Sequence, residues 1–288
     1  MPDMAAEVPQ TFERRKDVAW EAAHVTQKAI NFFDAKPLIK KGLDFFIRGW
    51  RSRLAEFVGD PLCELASRAN YDDLTGLPNK RALIDWLNAK FMVDMRTGTR
   101  VEDNDRRQHD FFPFCVAFCD VDNFTKVNEN FGHTVGNTVL QAVAKELNRN
   151  VRSGDQIGRY GGDEMVAIFD TIRTPNAGVE LTERLREDFS RNFKNQWCIS
   201  LSIGLVHVLY EDLKMISGIA KQHGVTMADL VLAAADSAAY SAKEEGRDRV
   251  VSWSKKTKLK PIPEAADDHD KAIHEALVAW QIRTALLN

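Results

Sequence analysis

Four acidic side chains occur at two points of the sequence and could hold a divalent cation. Asp120 and Asp122 follow the apolar run 114–119, and Asp163 and Glu164 follow a pair of glycines. Alternate residues of an extended chain point to the same side, so a strand ending at this Asp-Val-Asp triplet presents two carboxylates together. A hard divalent cation takes oxygen ligands and would relieve the repulsion among the four carboxylates. By itself the triplet is weak evidence, because acidic residues are common at strand ends.

Two other segments carry groups that suit a nucleotide. Residues 123–137 are polar and rich in Asn, and such a loop ahead of a helix offers backbone N–H groups to phosphate and amides to a base edge. Lys243 and Arg247 are spaced i, i+4, so they share one face and could hold a triphosphate if a helix continues that far. Each segment also has an ordinary interpretation, as a capping loop and as a helix C-terminus with favourable cations.

Hydrophobic periodicity and turn residues predict the elements that would position these groups. In chain order they are a helix from Asn79 to about Met95, a strand over 114–119, a helix over 134–150, a hairpin over 156–169 turning at Gly161 and Gly162, a helix over 177–193, a strand over 197–208, a helix over 227–243 and a short strand over 249–253. The order β-α-β-β-α-β indicates an α/β (α+β) sandwich, in which helices flank a central, mainly antiparallel sheet.

The flanking segments have patterns of their own. Apolar residues at helical spacing predict two or three helices between residues 12 and 70. The charge-dense stretch 96–109 predicts an exposed loop insertion. The basic run 255–260 and two prolines favour a solvated tether, followed by a terminal helix over 265–287.

Composition limits the class of protein. Lys plus Arg number 39 and Asp plus Glu number 42, which gives a net charge of −3 in 288 residues. Such a chain has no general positive field for nucleic acid or an anionic membrane. The most apolar run is about half of the roughly 18 residues that cross a bilayer, and the first residues lack a secretory pattern. Four scattered cysteines give no disulfide framework. We therefore expect a soluble, cytoplasmic globular protein with no membrane segment and no nucleic-acid partner.

Several ordered motifs resemble those of the GGDEF-domain diguanylate cyclases. RYGGDEM at 159–165 looks like the RYGGDEF signature, and three more segments are similar to family motifs, namely 73–79, 120–137 and 235–247. The resemblance covers about residues 70–253. It implies a nucleotide-cyclase/palm-like GGDEF fold, with a catalytic domain over 71–253 between a helical dimerisation or regulatory region over 1–70 and a basic linker with a C-terminal helix over 254–288.

The resemblance also implies an activity in bacterial second-messenger signalling. Two GTP molecules would condense to cyclic di-GMP with release of pyrophosphate, in a homodimer that holds Mg²⁺ or Mn²⁺, with at least two ions per catalytic dimer site. Asp120, Val121 and Asp163 would be metal ligands, and Asp120, Asp163 and Glu164 the catalytic group. The implied substrate-binding residues are Asn123, Phe124, Thr125, Asn128, His133, Asn137, Gly161, Gly162, Lys243 and Arg247. Arg152 and Asp155 match the RxxD inhibitory site, which would bind cyclic di-GMP as feedback ligand.

Four residues depart from the family motifs. Met165 and Glu129 are conservative replacements of Phe and Asp, whereas Thr125 replaces a Lys and removes one charge. Asn137 replaces an Asp that can accept from both guanine N1–H and N2–H₂, and an amide offers only one acceptor oxygen. Three alternatives follow: a diguanylate cyclase in which Asn128 or water supplies the acceptor, a relaxed cyclase that also makes mixed cyclic GMP-AMP, or a catalytically weak domain that acts as a cyclic di-GMP receptor.

Overall fold

A computed structural model describes residues 70–98, 113–152, 154–170, 172 and 174–286. The helices predicted before residue 70 and most of the loop predicted over 96–109 lie outside these residues. Within them, no helix is long and apolar enough to cross a membrane.

The described residues form six helices and five strands. The helices are α1 (Lys80–Gly98), α2 (Phe124–Arg149), α3 (Pro175–Trp197), α4 (Tyr210–His223), α5 (Met227–Glu244) and α6 (Asp268–Leu286). The strands are β1 (Phe114–Asp122), β2 (Gln156–Gly161), β3 (Glu164–Phe169), β4 (Ser200–Val208) and β5 (Arg249–Ser252).

The five strands make one sheet in the order β2-β3-β1-β4-β5. Strand β1 is central and antiparallel to both β3 and β4, β2 is antiparallel to β3, and only β5 runs parallel to its neighbour β4. The predicted mainly antiparallel sheet flanked by helices is therefore confirmed. Every residue of β1 is buried, because helices cover both faces of the sheet, and this explains its continuous apolar sequence.

Two hydrophobic cores lie on opposite faces of the sheet. Val116 and Phe118 of β1 pack with α1, α4, α5 and α6, whereas Cys115 and Ala117 pack with α2 and α3. The alternation follows from the two-residue period of a strand. It also sends Asp120 and Asp122 toward the α5 side of the sheet, where β1 ends.

Helix α2 begins earlier than the sequence predicts. The segment 123–133 is predicted as a polar loop, but α2 starts at Phe124 and bends at Gly132, whose φ is 81° and ψ 162°. Phe124 and Val127 are both buried, and their i, i+3 spacing fixes a helical turn against the core. Burial of these two side chains thus outweighs the weak helix propensity of the asparagines around them.

Two more boundaries differ from the prediction. Helix α3 continues to Trp197, so β4 starts at Ser200 rather than at residue 197. Helix α4 was not predicted, although Leu213, Ile216 and Ile219 recur at helical spacing and are buried. The Asp212 carboxylate accepts from the Leu209 backbone N–H at 3.0 Å and caps this helix.

The segment after β5 is exposed along most of its length, as its composition favours, but it is hydrogen-bonded to α5 and is not a free tether. Thr257 is buried, and the backbone N–H of Lys258 donates to the Ser241 hydroxyl of α5 at 2.9 Å. The terminal helix is confirmed as α6, and its Trp280 side chain is buried with its ring 5.4 Å from that of Trp253. This segment is therefore packed on the domain.

Candidate active site

Asp120 lies near the end of the central strand, beside other charged groups. It pairs in register with Glu164 of β3, and its carboxylate is 2.6 Å from Nζ of Lys243 on α5. The pKa of Asp120 is raised to about 6: burial is the largest cause, the charges of Asp163 and Glu164 add to it, and Lys243 opposes it. Burial likewise raises the pKa of Glu164. The three acidic residues predicted as the catalytic group therefore face one another where β1 ends and β3 begins. We call Asp120, Asp163 and Glu164 the acidic edge.

A network around Arg159 fixes the signature turn. Its Nε and Nη2 donate to the Gly162 carbonyl at 2.9 and 2.7 Å, and its Nη1 lies 3.0 and 3.1 Å from the two Asp72 carboxylate oxygens. The Val121 backbone N–H donates to the Asp163 carbonyl at 3.4 Å and joins the turn to β1. Sequence reasoning gave no role to Arg159 or Asp72, whose pairing only the fold reveals.

Asp122 is enclosed, and this corrects the expectation that it shares a cation with Asp120. Its two oxygens accept from the Ser200 and Ser202 hydroxyls, each at 2.7 Å, and from the Asp248 backbone N–H at 3.1 Å. The side chain is 0% exposed. Because these donors occupy it, Asp122 holds β1, β4 and the turn before β5 together.

Lys243 and Arg247 do not share a helical face. Helix α5 ends at Glu244, and Gly246, Arg247 and Asp248 have φ values of 117°, 64° and 48°. This turn nevertheless brings Arg247 to the same edge, with Nε 3.9 Å from Asp122. The two cations thus reach the acidic edge by different routes, Lys243 from the helix and Arg247 from a left-handed turn.

Asp248 secures that turn. Its carboxylate accepts from Arg186 at 2.7 Å, Lys194 at 2.6 Å and Ser190 at 3.2 Å, all on α3. Partial burial opposes ionisation, but the hydrogen bonds from Lys194 and Arg186 lower the pKa of Asp248. A non-glycine residue with a φ of 48° has a sparsely populated backbone conformation, which persists only where the surroundings hold it. The three hydrogen bonds to α3 hold Asp248 in this conformation.

An open cleft of about 300 Å³ lies beside the acidic edge. Its lining comprises Phe124, Thr125, Asn128, His133, Asn137, Leu140, Arg159, Gly162 and Asp163. Six of the ten residues predicted to bind substrate are in this set. The other four are Asn123, Gly161, Lys243 and Arg247. Of these, Asn123 has a φ of 62° and its amide lies 3.5 Å from the Cys198 carbonyl, while an added Cβ on Gly161 would lie 3.3 Å from Glu164 Oε2.

The two cleft asparagines belong to the two halves of the bent helix. A Cβ added to Gly136 would lie 1.9 Å from the amide oxygen of Asn128, so only glycine leaves room for this amide. Asn137, the next residue along, is exposed. The helix therefore offers two carboxamides to the cleft, from Asn128 and Asn137.

The donor groups at the edge fit a hard divalent ion. Asp120 and Asp163 supply carboxylates and Val121 a backbone carbonyl, and oxygen donors of this kind suit Mg²⁺ or Mn²⁺. Within the described ranges, no three His, Cys, Asp or Glu side chains form a ready-made metal cluster. In their place the ammonium of Lys243 contacts Asp120. Burial and the neighbouring carboxylates raise the pKa of Asp120, and a bound cation would oppose both effects.

Arg152 and Asp155 form a turn between α2 and β2. The Asp155 backbone N–H donates to the Arg152 carbonyl at 2.9 Å, and the Asp155 carboxylate accepts from the N–H groups of Arg152 and Asp170 at 2.9 and 3.0 Å. Arg152 is exposed. The turn is therefore braced by Asp155, with Arg152 presented to solvent.

Comparison with known proteins decides the family. A family model described as diguanylate cyclase, GGDEF domain, matches residues 69–249. The chain belongs to the GGDEF family. Curated relatives of its GGDEF domain include the bifunctional diguanylate cyclase/cyclic di-GMP phosphodiesterase MucR of Pseudomonas aeruginosa, 34% identical over 73% of this chain, and diguanylate cyclase DosC of Escherichia coli K12, 31% identical over 63%. The chain spans only 27% and 35% of the lengths of these two relatives.

Solved GGDEF structures share the fold. The coiled coil and GGDEF domain of DgcB from Caulobacter crescentus, in complex with c-di-GMP, aligns with a TM-score of 0.53 at 23% identity, over 75% of this chain and 100% of that one. Diguanylate cyclase SiaD of Pseudomonas aeruginosa, in complex with its activator SiaC, aligns with a TM-score of 0.51 at 24% identity, over 84% of this chain and 83% of that one. At these identities the likeness establishes the GGDEF fold.

Proposed function

We propose that this chain is a diguanylate cyclase, which condenses two GTP molecules to cyclic di-GMP with release of pyrophosphate. The observation that carries the proposal is the meeting of Asp120, Asp163 and Glu164 at one sheet edge, beside a cleft of about 300 Å³ in a domain of the GGDEF family. The curated relatives named as diguanylate cyclases support it.

Each group at the edge has a role in this reaction. Asp120, Asp163 and the Val121 carbonyl would hold Mg²⁺ or Mn²⁺, which when bound neutralises triphosphate charge and favours loss of the 3′-OH proton. Lys243 and Arg247 would attract phosphate oxygens.

The cleft would hold the rest of the nucleotide. Helix α2 begins at Phe124, so backbone N–H groups of its first turn would be available to phosphate oxygens in the cleft. The carboxamides of Asn128 and Asn137 would face the guanine edge. His133 and Gly162 also line this space.

The reaction requires two copies of the domain, because each site would hold one of the two GTP molecules that react. We assign dimerisation or regulation to residues 1–70 and catalysis to residues 71–253. Product feedback is proposed at Arg152 and Asp155, where an exposed Arg can pair bidentately with phosphate or with a guanine edge.

The proposal is tested by incubating the full chain with GTP and Mg²⁺ and identifying the products by chromatography and mass spectrometry. Cyclic di-GMP and pyrophosphate are expected from the wild type and neither from Asp163→Ala, which removes one oxygen donor of the edge. The wild type could instead make no product at any protein concentration and still bind cyclic di-GMP. If Arg152→Ala abolished that binding, the protein would be a cyclic di-GMP receptor and not a cyclase.

Asn137 supports a second, related candidate, a cyclase of relaxed base specificity. It lines the cleft with Asn128, and an NH₂ group that faces guanine donors leaves a hydrogen bond unmade. Asn can instead pair bidentately with adenine. Such a cyclase would make some mixed cyclic GMP-AMP from GTP and ATP.

We expect Asn137→Asp to raise the preference for GTP over ATP by about 5- to 100-fold, because a carboxylate accepts from both guanine donors. The measurement is kcat/KM for GTP and the ratio of the two products in an equimolar mixture of GTP and ATP. Asn130→Asp is the matched control, since Asn130 is exposed on the same helix and gains the same charge. An unchanged ratio in Asn137→Asp would show that another group sets base specificity.

A further inference from the structure

The segment between β5 and α6 returns along α5 and is held at several points. The Lys258 N–H and carbonyl both bond to the Ser241 hydroxyl, at 2.9 and 3.2 Å, and the Lys260 N–H donates to Ser237 at 3.4 Å. From α6, the Gln281 amide donates to the Thr257 carbonyl at 2.7 Å. We call residues 254–266 the C-terminal strap. The family match ends at residue 249, so the strap lies beyond it.

The strap carries Lys260 to the acidic edge. Its Nζ is 2.8 and 3.0 Å from the carboxylate oxygens of Asp236 on α5 and 3.9 Å from Oε1 of Glu164. Burial opposes its charge, but Asp236, Glu164 and Asp120 together raise the pKa of Lys260. The Lys260 side chain is 45% exposed, and its ammonium group is held by Asp236 beside Glu164.

Lys258, two residues earlier in the strap, has a different environment. Its Nζ pairs with Glu244 at 2.8 Å, where both side chains are about half exposed, at 60% and 49%. Glu244 is the last residue of α5, and it interacts with Lys258 and Arg247 rather than with the signature carboxylates. Of the four lysines in the strap, Lys260 therefore lies at the candidate active site, and Lys258 lies away from the signature carboxylates.

Carboxylates outnumber cations around Lys260, so its positive charge matters for what the site can bind. Asp120, Asp163, Glu164 and Asp236 crowd the edge, and Lys243 neutralises only one of them directly. Thr125 stands where the family motif has a lysine, so this position of the chain carries no positive charge. The strap adds a cation from outside the family domain.

We propose that Lys260 is a cationic residue of the nucleotide site, which in the absence of metal pairs with Asp236 and lies beside Glu164, and which attracts the triphosphate when nucleotide binds. The identity of the anion rests on the proposed function. A fixed positive charge a few ångströms from a cation site weakens metal binding and strengthens binding of a polyanion. Removing Lys260 therefore changes the two affinities in opposite directions, which loss of structure alone would not do.

The test compares Lys260→Met, Lys260→Arg and Lys258→Met in the full chain. Methionine keeps the aliphatic stem and removes the charge, and arginine keeps the charge. Binding of Mn²⁺ alone is measured by isothermal titration calorimetry, and KM and kcat for GTP by steady-state kinetics. We expect Lys260→Met to bind Mn²⁺ about three- to tenfold more tightly and to raise the KM for GTP by about three- to tenfold. Lys258→Met should match the wild type in both, and Lys260→Arg, which keeps the charge, should lie closer to the wild type than Lys260→Met does.

Two outcomes would overturn the inference. Wild-type values for both affinities in Lys260→Met would show that its charge does not reach the site. Weakening of both, with a lower thermal midpoint, would give Lys260 a purely structural role. If the wild type makes no cyclic di-GMP, the proposed function fails, but the Mn²⁺ titrations still decide whether Lys260 competes with a cation.

Discussion

Replacing Asp120 with Asn is expected to abolish cyclic di-GMP synthesis and to stabilise the fold. The amide keeps the shape of the side chain but removes the charge that would hold a divalent ion, so we expect turnover to fall by about 1,000-fold or more. Stability should rise because burial and the charges of Asp163 and Glu164 outweigh the Lys243 contact that the variant loses, as the raised pKa of Asp120 indicates. Loss of activity and gain of stability in one variant would mark Asp120 as a residue kept for function.

The pH dependence of this gain follows from the raised pKa. Burial raises the pKa of Asp120 to about 6, from an ordinary value of 3.8, so the folded state binds its proton more tightly than the unfolded chain does. Between pH 3.8 and about pH 6, the free energy of unfolding of the wild type falls as pH rises. Above about pH 6 Asp120 is ionised in both states, and the whole destabilisation is present. The amide in the variant does not titrate, so Asp120→Asn should match the wild type near pH 4 and exceed it by about 1–3 kcal/mol at pH 7.

Urea unfolding of both proteins in EDTA from pH 4 to pH 8 measures this difference. Asp85→Asn is the control, because the Asp85 side chain is 68% exposed in its pair with Arg81 and its loss should cost little at any pH. Added Mn²⁺ should raise the midpoint of the wild type and leave that of Asp120→Asn unchanged. A variant that is less stable than the wild type at pH 7, or that still makes cyclic di-GMP at the wild-type rate, would contradict the assignment.

Local sequence was sufficient to predict the sheet, whereas most of the cleft residues were implied by the resemblance to the GGDEF motifs. The continuous apolar run of β1 indicates a strand buried on both faces, and the glycine pair predicts the turn that carries Asp163. The motif residues of α2 then meet that turn in one cleft. The strand and the turn depend on residues that are neighbours in sequence. Their meeting depends on the order of strands in the sheet, and the order of elements along the chain already indicates that order.

The environments of Asp120 and Asp122 could not be predicted in the same way. The two residues lie on the same side of the same strand. Asp122 is nevertheless enclosed by Ser200 and Ser202, whereas Asp120 faces Lys243. The difference is set by the register of β1 against β4, which pairs Asp122 with Ser200. Register between strands distant in sequence cannot be inferred from the motif itself.

The position of Lys260, in a segment outside the motifs, could not be predicted from the sequence either. A basic run followed by prolines is typical of a solvated linker, and its composition gives no reason to place one lysine at the active site. Its position depends on the Ser237 and Ser241 hydroxyls of α5, which bind the strap backbone. Both serines fall in the Ala-rich helix, where they suggest only close packing.

Gly204→Ala is expected to be the most destabilising single substitution proposed for this domain. Gly204 lies within β4, opposite Phe118 of β1 and Val251 of β5. An added Cβ would lie 1.9 Å from the Ala235 carbonyl oxygen and 2.2 Å from the Ala239 nitrogen. Because these are backbone atoms of α5, the helix must move away from the sheet, and we expect a loss of about 3–5 kcal/mol of unfolding free energy.

Denaturant unfolding tests this expectation, with Gly218→Ala as the matched control. Gly218 lies within α4, where an added Cβ would come no closer than 3.8 Å to Arg283, so alanine should be neutral or stabilise by up to about 1 kcal/mol. A Gly204→Ala protein within about 1 kcal/mol of wild type would mean that α5 does not pack on β4 as described. The same contact positions the site, since α5 carries both Lys243 and Asp236. Any folded Gly204→Ala protein should therefore also show a raised KM for GTP, whereas Gly218→Ala should not.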